Sequence, residues 1–493
     1  MNPERTTMGL QRLGRDTLLY GLSTLLVRGL QIFLIPVYSR ALGSGDYGVV
    51  ETVAIAGALV NLTVALEISQ GMARYIADAP DERARRAYAS TAVGFAALAY
   101  AAFALAVWAF SDGLAHWLLA GQAPPKTLAL AAAAIAINGV FVIVQDLLRW
   151  QLRPGSYVVA SLAYALGSAG VGIWLVAVQE VGVAGVFWGQ LAGALLGMVV
   201  SLSRASGLLE RVFDAQRLQT MLRYSLPLVL SGAAVFGNLF IDRIVVRELL
   251  GLEALGVYGV TARFASVVSI LAVGLQAALS PLVFRHWREP GTAATLGRIC
   301  RWYLVAMVAL VGAIALLSAP IMGTLTGPAF HGGSAVLPLL TLGAMFSTLY
   351  VFAPGLFLGE RTGRVALLNV AGAMLNLFAA LLLTRWFGLL GAALAATIAP
   401  ACVFAGYLAL GRPWFTVPYR APRIAFTLTL VVALVLIGMT WPTNPTLWDP
   451  ATLVAKAALW CLCLGLAVAL GTDAADRYQA SQVLRALARQ RSH

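Results

Sequence analysis

The residues able to do chemistry in this chain are few, and the deepest of them are cations. Arg28 and Arg263 each fall inside an apolar stretch long enough to cross a bilayer. A guanidinium at that depth is costly, so it needs a partner, water or a task. Its planar fork of donors matches a diphosphate or an acidic sugar bidentately. Arg28 lies about 16 Å into its helix at about 1.5 Å per residue, near the midplane. It reads as an anion contact in a cleft or as one half of an ion pair between helices. Arg263 divides between the same two readings. Arg74 and Arg149 sit near helix ends, where they would meet an entering lipid diphosphate or serve as topology determinants. Asp242, Arg243, Glu67 and Asp146 are the candidates for ion coupling or gating. The plainer readings are interfacial anchoring for Asp242 and Arg243, and a solvated helix end for Glu67. Asn61, Asn138, Asn238 and Asn376 read as polar bridges between helices.

Much chemistry is missing. The chain has two lysines, Lys126 and Lys456, and neither follows a glycine, so no phosphate-binding loop of the G-x-x-x-x-G-K-[ST] kind exists. No nucleophile elbow or metalloprotease motif is present. Cys300, Cys402, Cys461 and Cys463 lack metal-ligand spacing and read as small core residues. The four histidines are scattered. No cofactor or metal site is expected. The driving force stays open between a coupling ion (Na+ or H+), the substrate gradient and a separate partner.

The elements that must position these residues are membrane helices. Of 493 residues 60% are apolar and 11% charged, and the mean hydropathy is +0.83. Lipid must solvate much of that surface. Fourteen apolar segments recur, near 17–38, 48–67, 88–110, 127–148, 157–178, 182–203, 224–246, 255–284, 300–320, 335–357, 365–384, 387–409, 422–441 and 451–471. They do not alternate as barrel strands would, so the spacing predicts an all-α polytopic membrane protein. With both termini in the cytoplasm, 26 of the 34 Lys and Arg residues fall on the cytoplasmic side. The opposite side has Arg40, Lys126, Arg243, Arg247 and Arg385. That asymmetry supports an even helix count with N-in, C-in topology. It also explains the net charge of +13 without nucleic acid, for which no recognition signature is present. The N-terminal basic run and first apolar segment read as a retained helix. The tail from Ala474 reads as an amphipathic surface helix or a frayed basic end.

An internal repeat sets the architecture. Leu42-Gly43 with Gly48-Val49 returns as Leu250-Gly251 with Gly256-Val257, 208 residues later. Gly182-Val-Ala-Gly185 returns as Gly388-Leu-Leu-Gly391 at an offset of 206. The reading is a duplicated six-helix unit whose copies enter the membrane in the same direction, with a central cleft and alternating access. The expected divisions are 1–205 (helices 1–6), 206–415 (helices 7–12) and 416–493 (helices 13–14 and a basic tail).

One string resembles a known family. Pro36-Val-Tyr-Ser-Arg40-Ala-Leu42-Gly43-x-x-Asp46-Tyr47-Gly48, then Gly71-x-x-Arg74-Tyr75, is similar to the Wzx-type polysaccharide transporters of the multidrug/oligosaccharidyl-lipid/polysaccharide (MOP) exporter superfamily. Asp242-Arg243, Leu249-Leu250-Gly251, Gly256-Val-Tyr258, Ala262-Arg263, Asn376-Leu-Phe and Phe387-Gly388-x-x-Gly391-Ala-Ala393 continue it. The resemblance implies two six-helix lobes with two further helices in the bacterial inner membrane. It implies a flippase for undecaprenyl-diphosphate-linked oligosaccharide in polysaccharide biosynthesis, not an enzyme. Its implied surroundings are membrane lipids, a polysaccharide polymerase and a chain-length regulator. The alternatives are a lipid II flippase, a cation-coupled drug exporter of the same superfamily, and a non-transporting scaffold. An exporter of cationic drugs would want deep acids facing the cleft, whereas Arg28 and Arg263 favour an anionic substrate.

Overall fold

The structure, a computed structural model, describes residues 27, 29–441, 449–478 and 482. Among the described residues every regular element is helical, as it must be where lipid offers the backbone no hydrogen bonds. Residues 29–41 form α1. There follow α2 (Ser44–Thr63), α3 (Ile68–Ala77), α4 (Glu82–Ala109), α5 (Ser111–Leu119), α6 (Pro125–Trp150), α7 (Pro154–Ile173), α8 (Val183–Ala205) and α9 (Ala215–Ala265). The chain continues with α10 (Val267–His286), α11 (Thr292–Leu316), α12 (Ser318–Leu325), α13 (Leu337–Thr348), α14 (Gly355–Leu358), α15 (Thr362–Phe387), α16 (Leu389–Gly411), α17 (Ala421–Thr440) and α18 (Pro450–Gly471).

Eleven helical stretches among the described residues are long and apolar enough to cross a membrane, or twelve when α2 and α3 count as one bent span. One of the eleven is the 62-residue run Ala215–Gln276, which covers two of the expected segments. Its backbone leaves helical geometry at Gly251 (φ 88°, ψ −178°). The expected first span, 17–38, lies largely outside the described residues. The expected straight segment 48–67 is replaced by a break. α2 ends at Thr63, Leu66 and Glu67 take left-handed φ values, and α3 departs at 41°. No glycine marks this turn. It stands because Ile68 and Met72 of α3 are fully buried with Met221 in one apolar cluster.

The chain forms two compact units, Met1–Phe240 with Leu250–Gly259, and Ile241–Leu249 with Val260–His493. In the first, α8 carries a glycine at every fourth residue, 185, 189, 193 and 197. A Cβ at Gly189 would lie 2.7 Å from the Ser168 carbonyl oxygen, and one at Gly193 2.5 Å from that of Tyr164. The ridge lets α7 and α8 approach backbone to backbone, the small-residue packing that replaces a hydrophobic drive inside lipid. α4 packs on α6, with the Tyr100 ring in a notch left by Gly139.

In the second unit, α15 pairs with α16, and α11 packs against α13, α17 and α18. An ion network fastens one end. The Arg301 guanidinium, 6% exposed, donates to Asp476 at 2.8 Å and lies 3.3 Å from Asp473. Arg298 reaches Asp476 at 3.1 Å, and Arg420 and Arg423 pair with Asp473. The start of the tail is thus tied in rather than frayed: 474–478 is helical and Asp476 is buried. The cysteine reading needs one correction. Cys300 and Cys463 are buried, but Cys402 and Cys461 are exposed on helices whose apolar flanks suit lipid.

The repeat is visible in the backbone. Gly182 and Gly388 share one conformation, φ 72°, ψ −146° and φ 59°, ψ −136°, which a residue with a Cβ rarely takes. Leu152 and Glu360, 208 residues apart, both turn through φ values near +50° (53° and 55°) just before α7 and α15.

Candidate functional site

The two copies of the glycine loop meet within the first unit. A Cβ added at Gly48 would lie 2.0 Å from the Leu252 carbonyl oxygen. One added at Gly256 would lie 1.9 Å from that of Ser44. Both contacts join positions at the same 208-residue offset, so they are one contact made twice. Each glycine turns its bare Cα toward the other copy's carbonyl, the geometry of a weak Cα–H···O contact. One turn on, Glu51 is fully buried against Gly259, its own counterpart in the repeat, where a Cβ would come 2.8 Å from Cδ of Glu51. Glu51 is a buried acid that the sequence reading passed over. The signal was present: a carboxylate inside the segment 48–67, three residues after the loop glycine.

A polar track runs deeper in the same unit. The Tyr100 hydroxyl donates to Asn61 Oδ1 at 2.7 Å. Glu67, at the break between α2 and α3, interacts electrostatically with both Tyr100 and Asp146. Asp146 accepts from Ser69 Oγ at 2.5 Å and pairs with Arg149 at 2.9 Å. Glu67, Asp146 and Arg149 are therefore brought together, with Ser69 and Tyr100 as members that sequence spacing did not reveal. Arg74 stands apart and pairs with Asp78 at 3.0 Å on an exposed turn.

The remaining candidates lie elsewhere. Asp242 is buried and Arg243 half-buried within α9, in the second unit. Arg263 is half-buried in the last turn of α9, where its carbonyl accepts from Ser266 Oγ at 2.6 Å. Arg28 lies outside the described residues. Also in the second unit, Gln276, Leu279, Val283, Phe284, Tyr350 and Phe357 line a cavity of about 120 Å³. Its polar end is the Gln276 amide, which donates to the Tyr350 hydroxyl at 2.7 Å. Among the described residues no group of three or more His, Cys, Asp or Glu side chains could hold a metal ion.

Outside the spans, Asp214 caps α9. Its Oδ1 accepts from the amides of Gln216 and Arg217 at 2.9 and 3.1 Å, and Arg217 Nε reaches Oδ2 at 3.0 Å. The amide bond from Arg217 leads in holding the carboxyl below the usual aspartate range.

Eleven or twelve candidate spans among the described residues, built on a duplicated unit with buried charges among them, define a multi-pass membrane protein. The chain belongs to the family described as polysaccharide biosynthesis protein, whose model matches residues 37–331. A search among curated protein sequences gives no match. Among solved structures the chain is similar to the lipid II flippase MurJ in an inward closed conformation, with a TM-score of 0.69 and 13% identity over 90% of this chain and 98% of that one. It is similar to an inward-facing multidrug resistance MATE family transporter of the MOP superfamily, with a TM-score of 0.63 and 14% identity over 81% and 94%. A MOP superfamily transporter from Pyrococcus furiosus aligns with a TM-score of 0.54 and 16% identity over 84% and 95%. At these identities the likeness is one of fold.

Proposed function

We propose that this protein is a flippase for undecaprenyl-diphosphate-linked oligosaccharide repeat units, moving them from the cytoplasmic to the outer leaflet of a bacterial inner membrane. The products served are O-antigen, capsule or exopolysaccharide. The observation that carries the reading is the family match across residues 37–331, on a fold shared with MOP transporters. The mechanism is alternating access between two halves of one repeat, with both termini in the cytoplasm. Arg28 and Arg263 hold the diphosphate or an acidic sugar at depth, and Arg74 and Arg149 receive it at the cytoplasmic face. The track from Asn61 through Glu67 to Asp146 supports a role in coupling to Na+ or H+, since its acids lie within electrostatic reach of each other. Asp242 and Arg243 belong to gating. A polymerase and a chain-length regulator receive the product.

The test is deletion of the gene followed by analysis of lipid-linked intermediates. The expected result is loss of one polysaccharide with its repeat unit accumulating on lipid at the cytoplasmic face. Accumulated lipid II would assign the protein to peptidoglycan instead. Unchanged polysaccharide with new drug sensitivity would point to an exporter.

A further inference from the structure

The turn that opens α15 carries more than its repeat counterpart needs. In the first half, Leu152 turns at positive φ, Arg153 caps α7, and Arg153 Nη1 donates to the Arg204 carbonyl at 3.2 Å. In the second half, Glu360 makes the same turn and Arg361 takes the same capping place at α15. Three differences accompany it. Gly359 stands where the first half has Gln151, Arg364 where it has Ser156, and Trp414 follows α16 where the turn after α8, Ser206–Leu208, has no aromatic residue. The three differences fit one another. A Cβ at Gly359 would lie 2.3 Å from Trp414 Cγ, so only glycine lets the indole lie flush on that turn. The guanidinium carbons of Arg361 and Arg364 then lie 5.4 and 5.1 Å from the centre of that ring. Among the described residues neither forms an ion pair with a carboxylate. Both are exposed.

Two like charges gathered on one indole repel each other, and the fold does not require them, because the first half makes the same turn without the second cation or the ring. An anion between them turns that repulsion into attraction. The surface beside them says what the anion is attached to. On the face of α15 that begins at Arg364, Leu367, Met374, Phe378 and Leu382 are 67%, 45%, 61% and 52% exposed. They stand seven, four and four residues apart, spacings that keep side chains on one helix face. A phosphate site at the foot of an apolar stripe is the complement of a glycerophospholipid, head and tail.

We propose that Arg361, Arg364 and Trp414 form a binding site for the phosphate of an anionic glycerophospholipid whose acyl chain runs along α15. In the orientation proposed above this is an inner-leaflet lipid. The site is independent of the cargo, and its binding is read in micelles, where orientation plays no part.

The experiment uses the full-length protein, purified in a neutral detergent and offered phosphatidylglycerol or phosphatidylcholine with identical chains. Retained lipid is counted by native mass spectrometry, and thermal unfolding is followed in parallel. The wild type is expected to retain phosphatidylglycerol in preference, by about fivefold per arginine. The double variant Arg361→Ala, Arg364→Ala loses that preference, and the pair Arg361→Lys, Arg364→Lys keeps part of it. Arg153→Ala, at the counterpart turn, leaves it unchanged. Unfolding without added lipid checks the double variant's fold, and if that has fallen, the lysine pair and Trp414→Ala decide. Equal retention by the double variant and the wild type overturns the proposal. So does an equal loss in Arg153→Ala, which would mean general attraction to a basic surface. In a parallel arm the same proteins are offered undecaprenyl diphosphate; a double variant that loses it while keeping phosphatidylglycerol also overturns the proposal, since the site would then belong to the transported lipid.

Discussion

Arg28 is the residue whose replacement best separates transport from architecture. If it grips an anion, Arg28→Lys keeps the charge but loses the bidentate fork, so transport falls in part. Arg28→Ala then abolishes transport while membrane abundance holds, because removing an intramembrane charge lowers the insertion cost by roughly 2–3 kcal/mol. Abundance and polysaccharide export measured in one strain set check this. A structural pair gives the opposite result: loss of protein, since a stranded partner is costly. Asp214 supports a prediction in pH. Its folded-state pKa is depressed, so its contribution is fully present above the ordinary aspartate value of 3.8 and is lost as pH falls through the lower folded value. The protection of the Gln216 and Arg217 amides, taken relative to their intrinsic exchange rates, is expected to fall on acidification in that window, and Asp214→Asn is expected to flatten the response. At this scale the sequence was partly legible. Asp146 and Arg149, three apart on a helix, had to be neighbours. Ser69 could not be placed beside Asp146 from spacing, because the two are 77 residues apart and meet only through the break at Glu67.

Among the elements, the join of α11, α17 and α18 rests on the Arg301–Asp476 pair. Arg301 is the buried cation of the network; Arg301→Ala leaves Asp476 to Arg298 and Asp473 to Arg420 and Arg423, and is expected to cost about 1.5–3 kcal/mol for the lost charged hydrogen bonds. Thermal unfolding in detergent measures it, and loss of less than a degree in midpoint would refute the assignment. A second prediction belongs to α2 and the turn after Gly251. Gly256→Ala places a methyl group 1.9 Å from a carbonyl oxygen that belongs to backbone and cannot swing aside. The expected cost is about 1–3 kcal/mol, seen as a lower unfolding midpoint, while Gly274→Ala, with nothing within 4 Å, is expected to be neutral. The long helices were legible because each is an apolar run of about the right length, while short ones such as α5 and α12 were not. The break between α2 and α3 was not, because no Gly or Pro announces it and tertiary burial of Ile68 and Met72 decides it. The glycine ridge of α8 was written plainly at four-residue intervals, but its meaning depends on a partner helix that a single segment does not name.

At the scale of the whole molecule, orientation is open to direct measurement. Cysteines placed at Gln122 and Gly332 are expected to react with an impermeant thiol reagent in intact cells, and cysteines at Arg83 and Ala215 only after the membrane is broken. All four positions are exposed, whereas neighbouring Ala84 is buried and would stay silent for the wrong reason. The reverse pattern would reject the N-in assignment. The duplication was legible from two glycine pairs, because a repeat keeps the backbone positions where a side chain cannot fit. The division of the chain was less so. The first compact unit reaches into the second copy of the repeat as far as Phe240 and takes up Leu250–Gly259. Those ten residues contain Gly256 and Gly259, and the close approach of their backbone to α2 draws them there.

The paired contacts of Gly48 with Leu252 and of Gly256 with Ser44 also bear on register. A join between interleaved side chains can often be met in more than one register, because rotamers adapt. Here the touching atoms are a bare Cα and a carbonyl on either side, with no torsion to reset. Neither contact can shift along the chain without breaking the other, so the pair fixes the register in which α2 meets the second copy of the loop.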